Sequence, residues 1–404
     1  MNLTKFLILF LLVLTALSSE GEAAKKKRKR RYMGPPPTHP VVLWSRTLAD
    51  GTNPEERRSA AFKMSAYSQP IFQQEAVRAL TKCIKDPDTK TKIWCTKAMG
   101  RAGTKANAET IRNTLLAQYQ ADPLLKDTIV RALIIRRDDS QAVQETLLDS
   151  LKKTENPEEQ TALLGYFEKF GGGNAMIDTV IATYNKSSNT KVKTLAVTTL
   201  ASRAEGQDSV IAFLSQCAGQ HETLETPLVL NCLSGLQQQA RLDNRTWQAV
   251  EKTLGSEDTD VVYATLDLIN ALPEAQNEKI ADKLMNLISE GEDQDTLERA
   301  ILALGVCGNS TEAITSALHS QLESTGSSEG VRIASALVLG KQAHQFPDKA
   351  KALLLKCSKQ EKSQSLRTAC QLGLQDIEAK KTVVVPKSSE KSGKDNALAA
   401  ENAQ

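Results

Sequence analysis

Glu329-Gly330-Val331-Arg332-Ile333-Ala334-Ser335-Ala336-Leu337-Val338-Leu339-Gly340 decides how this 404-residue chain is read. An acid opens it, Val-Arg follows, small residues sit through the middle, and it closes on Ala-Leu-x-x-Gly. Asp295-Thr296-Leu297-Glu298-Arg299-Ala300-Ile301-Leu302-Ala303-Leu304-Gly305 repeats the pattern, and Ile93-Trp94-Cys95-Thr96-Lys97-Ala98-Met99-Gly100-Arg101-Ala102-Gly103 is a looser copy. Small-residue anchors recur at Ala98, Ala132, Ala162, Ala196, Ala264, Ala300 and Ala369, and a step near 34 places the missing members near Asn231 and Ser335. A period of that size belongs to stacked helix pairs, each unable to bury its apolar face alone.

Helix starts are legible as well. Asn53-Pro54-Glu55-Glu56 supplies an N-cap, a proline at the first helical position and acids in the first turn. The same four residues return at Asn156-Pro157-Glu158-Glu159, 103 residues later, with Asp86-Pro87 and Asp122-Pro123 between them. The only strand-like run is TVVVP at 382–386.

The Val-Arg, Ala and Ala-Leu-x-x-Gly positions resemble the short HEAT-like repeat of the lyase type, over about residues 50–378. A tetratricopeptide array has a similar period, but its Trp, Leu-Gly and Tyr positions do not recur. The resemblance implies an all-α fold, a right-handed α-solenoid of about nine to ten stacked helix pairs. It also implies scaffolding, with a partner protein or extended peptide on a concave face built mostly from the second helices of the units. In that count the anchor helices come first.

The flanks read differently. Phe6 to Leu17 is 12 residues of apolar sequence interrupted only by Thr15, and small polar residues follow. That order reads as a secretory signal over 1–24, too short to span a bilayer as a helix. Cleavage after Ser18 or after Ala23 and retention as an anchor all stay open, because positive flanks resist translocation. Lys25, Lys26, Lys27, Arg28, Lys29, Arg30 and Arg31 then form an unbroken basic run. Without them, Lys5, Glu20 and Glu22, the net charge of +3 becomes about −3, so the body is near neutral. The expectation is a disordered, Pro-rich leader over 25–40 that suits an anionic surface, the solenoid over 41–378, and a disordered tail over 379–404. The protein is expected to be exported, periplasmic or secreted.

Catalytic chemistry has little support. No nucleophile elbow, phosphate loop, dinucleotide fingerprint or metalloprotease helix occurs. The four histidines, at 39, 221, 319 and 344, are scattered and no Cys-x-x-Cys is present. No catalytic residue, cofactor, metal or specific nucleic-acid partner is therefore expected. Gly171-Gly172-Gly173-Asn174 reads as a tight turn capped by Asn174. The adjacent acids Asp138-Asp139 and Glu158-Glu159 read as caps and solvated turns. Trp94 reads as packing, and Trp44 as a cover for the open end.

Six of seven cysteines fall into local pairs, Cys83 with Cys95, Cys217 with Cys232 and Cys357 with Cys370, at separations of 12, 15 and 13. The pairs recur roughly every four repeats, so they occupy equivalent places. Each is expected to bridge one unit's second helix to the next unit's first, leaving Cys307 as a free thiol. The function read from the sequence is a non-enzymatic protein-binding scaffold outside the cytoplasm. An envelope protein gripping an anionic polymer or lipid headgroups through the leader, and a lyase-type HEAT-like enzyme, are the alternatives.

Overall fold

In the computed structural model, the described residues run from 39 to 382, apart from 204, 240–242, 274–275, 292, 309–310 and 343–345. They form twenty α-helices in ten consecutive pairs. The first five pairs are α1 (Pro40–Asp50) with α2 (Pro54–Ala66), α3 (Gln74–Cys83) with α4 (Thr89–Met99), α5 (Ala108–Ala121) with α6 (Lys126–Arg136), α7 (Gln141–Lys153) with α8 (Pro157–Phe170), and α9 (Gly173–Lys186) with α10 (Thr190–Arg203). The second five are α11 (Asp208–Ala218) with α12 (Thr226–Gln239), α13 (Asn244–Thr253) with α14 (Thr259–Ala271), α15 (Glu278–Glu290) with α16 (Gln294–Cys307), α17 (Glu312–Glu323) with α18 (Glu329–Gln342), and α19 (Pro347–Gln360) with α20 (Gln364–Thr382). The last helix thus continues four residues into the segment expected as tail. The only strand pairing among the described residues is an isolated bridge between Ile71 and Ala102.

Local chemistry starts these helices as the sequence suggests. The Asn53 side chain accepts from the Glu55 N–H at 2.9 Å and Asn156 from the Glu158 N–H at 2.8 Å, each filling an orphan donor of the first turn. Two expectations shift. The cap of α4 is Asp88, two residues beyond Asp86, accepting from the Thr91 N–H at 2.9 Å. At the glycine cluster the N-cap is Gly172 with no side-chain bond, and Asn174 lies inside the first turn of α9. A side chain cannot cap a helix that its own backbone has already entered.

The even-numbered helices stack in one layer and the odd-numbered helices in the other. One continuous apolar core lies between them, from Val41 through Tyr166 and Phe167 to Ile377. The even layer is the closer packed. A Cβ built on Gly340 would stand 2.4 Å from the Gly373 Cα, and one on Gly100 would stand 3.2 Å from the Ala132 Cα. Small residues at those positions let backbones approach, which is why the anchors recur at the repeat period. These anchor helices are the second members of the structural pairs, so the unit is phased opposite to the sequence reading. Trp44 of α1 meets Tyr67 edge-on at 6.0 Å and helps cover the N-terminal end.

The three cysteine pairs stand at disulfide distance, with Cα–Cα separations of 6.0 Å for Cys83 and Cys95, 6.0 Å for Cys217 and Cys232, and 6.1 Å for Cys357 and Cys370. They connect α3 to α4, α11 to α12 and α19 to α20. Each link therefore lies inside a helix pair, not between units. Cys307 is buried, and burial pushes its thiol up to about 12.

Candidate protein-binding face

Every strongly polar cluster in the solenoid has to be sorted into what joins repeats and what is offered to solvent. At the starts of the even helices, a side chain of one repeat reaches the capping region of the next. Arg58 binds Asp88 at 2.7 Å, Lys92 binds Asp122, and Lys126 binds Glu159 at 2.8 Å. Farther along, hydroxyls take over. Thr226 donates to Asp258 and Tyr263 to Asp293, both at 2.6 Å.

At the other ends, arginines clamp the open carbonyls of the preceding even helix. Arg101 donates to the Ser65 oxygen at 2.9 Å, Arg136 to the Met99 oxygen at 3.1 Å, and Arg203 to the Lys169 oxygen at 2.7 Å. A cation at a helix C-terminus satisfies orphan acceptors and complements the dipole. Sequence reasoning missed these arginines, although Arg101 and Arg136 stand one repeat apart.

Glu159 is the largest correction. Its neighbour Glu158 is exposed as expected, but Glu159 accepts from Lys126 Nζ at 2.8 Å, Thr154 Oγ1 at 2.8 Å, Ser150 Oγ at 3.0 Å and Tyr119 Oη at 3.1 Å. Burial pushes this carboxyl up, yet the bonds from Lys126, Thr154 and Ser150 outweigh it and hold the group below its ordinary value. Burial drives the Tyr119 phenol the other way, well above its ordinary value. Asp138 is similarly buried against Arg112 at 3.0 Å. These acids fasten repeats together. Adjacent positions on a helix differ by about 100° in direction, so one member of a pair meets the next repeat while the other meets water.

What faces solvent is different in kind. Phe62 on α2 is 51% exposed and lies against Trp94 of α4, ring centroids 5.0 Å apart. Ile135 on α6 is 48% exposed. Lys63, Lys97 and Arg131 are exposed on the same three helices. Trp94 packs against the core as expected, is partly buried, and meets Phe62 edge-on. The neighbourhood is basic, with 17 Lys and Arg against 11 Asp and Glu over residues 39–140. By contrast, residues 141–290 carry 12 against 21.

The basic run Lys25 to Arg31 lies outside the described residues. Among the described residues no three His, Cys, Asp or Glu side chains gather as a metal-binding group, and no helix is long and apolar enough to cross a membrane.

No known protein family matches the sequence, nor does any curated protein. Solved structures do match. Kap95p, solved with RanGDP, is 11% identical with a TM-score of 0.50, covering 82% of this chain and 51% of that one. Importin beta in ammonium sulfate is 14% identical with a TM-score of 0.48, covering 83% and 50%. β-Catenin, from a structure concerned with its cadherin interaction, is 15% identical with a TM-score of 0.46, covering 84% and 86%. The chain spans about half the length of Kap95p and importin beta. At such identities the likeness is one of fold: stacked helix pairs of the HEAT and armadillo type.

Proposed function

We propose that the chain is a non-enzymatic scaffold that binds a partner protein or extended peptide on the side of the even-numbered helices. An array bends toward its more closely spaced layer, so we place the concave side on these anchor helices and not on the layer that the sequence reading favoured. The observation that carries the reading is the exposed apolar residues of the first even helices, Phe62 against Trp94 and Ile135 on the next even helix, with Lys63 and Lys97 exposed on the same helices and Arg131 paired to Asp127. Apolar anchors within a cationic frame suit a segment that carries hydrophobic side chains and acids. Kap95p, of the same fold, binds RanGDP, and a protein partner is what we propose here. The polar clusters favour binding over catalysis. A carboxyl held below its ordinary value is a weakened base and a phenol held above its ordinary value a weakened acid, so neither Glu159 nor Tyr119 is tuned for proton transfer near neutral pH.

The test is affinity capture by the full mature chain from its native compartment, compared with the double variant Phe62→Ser with Ile135→Ser. A partner retained by the parent and lost by the variant is expected, with binding that survives deletion of residues 25–31. Capture that the variant leaves intact, but that vanishes with the leader or with added salt, would favour the anionic-surface reading instead.

We also propose export to an oxidising compartment, where the three cysteine pairs become disulfides. The recurring pairs and the segregated Cys307 support this. Each bridge closes a loop short enough to add about 3 kcal/mol on the chain-entropy argument. Alkylating the non-reduced protein in denaturant and weighing its peptides should show three local bridges and one alkylated residue, Cys307. Seven alkylated thiols would sink the idea.

A further inference from the structure

We infer that a cleft between α11 and α13 is a binding site for a phosphate or sulfate group. It is independent of the apolar strip, and its failure would leave the protein-binding reading untouched. The cleft has a volume of about 400 Å³. Ser215 and Gln216 of α11, with Gln220 just beyond its end, form one wall. Arg245, Gln248 and Lys252 form the other, at i, i+3 and i+7 on one side of α13.

Three features point to an oxyanion. First, no carboxylate lines the cleft, although the surrounding residues 141–290 are rich in acids. Second, Arg245 and Lys252 form no ion pair among the described residues; the Arg245 guanidinium reaches only the Asp208 backbone oxygen, at 3.5 Å. Third, Ser215 is 95% buried and its hydroxyl has no hydrogen-bond partner. A buried hydroxyl left without a bond is costly; Ser215 Oγ is closed to solvent, so a ligand oxygen gains this bond only when the cleft wall gives slightly. Most serines inside helices return the hydroxyl to the carbonyl four residues back, as Ser45 does to Val41 at 2.6 Å. Ser215 does not.

The donors choose between anions. A guanidinium, an ammonium and three carboxamides line the cleft beside Ser215, more donors than the two oxygens of a carboxylate accept in one plane. A tetrahedral group can accept from both walls at once, and the two cations match its charge.

The experiment titrates the full chain with inorganic phosphate and, separately, with glucose 6-phosphate at constant ionic strength, by calorimetry. Saturable binding is expected. The exposed-residue variants Arg245→Gln and Lys252→Gln should each weaken it about tenfold, one charge-assisted bond lost. Ser215→Ala should weaken it less, and circular dichroism should show all three variants folded. Tighter binding of the ester identifies a phosphorylated small molecule as the source, and tighter binding of inorganic phosphate identifies the free ion. Binding that is absent for both probes, or that Arg245→Gln and Lys252→Gln leave unchanged, overturns the assignment.

Discussion

The same joint is built twice in this solenoid from different chemistry. Between α2 and α8, successive even helices are tied by cations that reach the next repeat's acid: Arg58 to Asp88, Lys92 to Asp122, Lys126 to Glu159. Between α12 and α16 the acids at the helix starts remain, but their donors there are the hydroxyls of Thr226 and Tyr263, while farther along the helices Arg299 of α16 still pairs with Asp267 of α14. Repeat geometry fixes where a donor must meet a capping acid, and it leaves the donor's charge free. The cationic version sits in the stretch that is net positive and that exposes the apolar strip. The neutral version sits where acids are in excess. The joint and the surface charge therefore vary together along the array.

Removing Glu159, the hub of the cationic region, should have the largest effect. Glu159→Gln keeps the shape but leaves Lys126 without its counter-charge. We expect a loss of about 2 kcal/mol in chemical denaturation, below the full cost of breaking a wholly buried pair. Thr226→Val removes the matching bond of the neutral region and should cost distinctly less. Equal losses would mean that the charge adds nothing to the joint.

How much of this was legible is best seen at single residues. Asn53 and Asn156 announced their helices because a cap is a local bond between neighbours in sequence. The cysteine pairs were found because two residues at recurring separations carry their own geometry. Glu159 could not be separated from Glu158, since its four donors come from α5, α6, α7 and the loop after α7. Phe62 and Ile135 could not be placed on the surface either, because whether the next repeat covers a residue depends on packing 30 residues away. The phase of the helix pair was misread for a related reason. A repeating pattern has no marked beginning, and only the contacts show which helix folds back on which.

Salt should separate the two regions by a smaller effect. Screening weakens the exposed parts of Arg58–Asp88 and its kin but not a neutral hydroxyl bond. Amide hydrogen exchange in high salt should rise at the starts of α2, α4 and α6 more than at the starts of α12 and α14. A uniform change along the chain would contradict the distinction.

Acid should act on both regions, in the same direction and more gently. Hydrogen bonds from Arg58 and Thr91 hold Asp88 well below the ordinary carboxylate range, and the bond from Lys92 lowers Asp122. The bond from Thr226 lowers Asp258, and bonds from Thr296 and Tyr263 hold Asp293 at about 2. A depressed folded value means that the unfolded chain binds more protons, so stability rises with pH across this window. It is fully present above the ordinary carboxylate value and is lost as pH falls through the depressed one. Exchange at both sets of helix starts should therefore quicken only well below pH 4, the region of an unperturbed carboxylate. Quickening near neutrality would show that other groups hold the joints.

In the proposed function a partner sits on the exposed apolar residues of the first even helices. A photo-crosslinking residue placed at Phe62 tests it against the same residue at Leu355, an exposed apolar position on α19 of the other layer. We expect a discrete protein adduct from position 62 in the native compartment, and none of that mass from position 355. Adducts of equal yield from both positions, or from 355 alone, would contradict it.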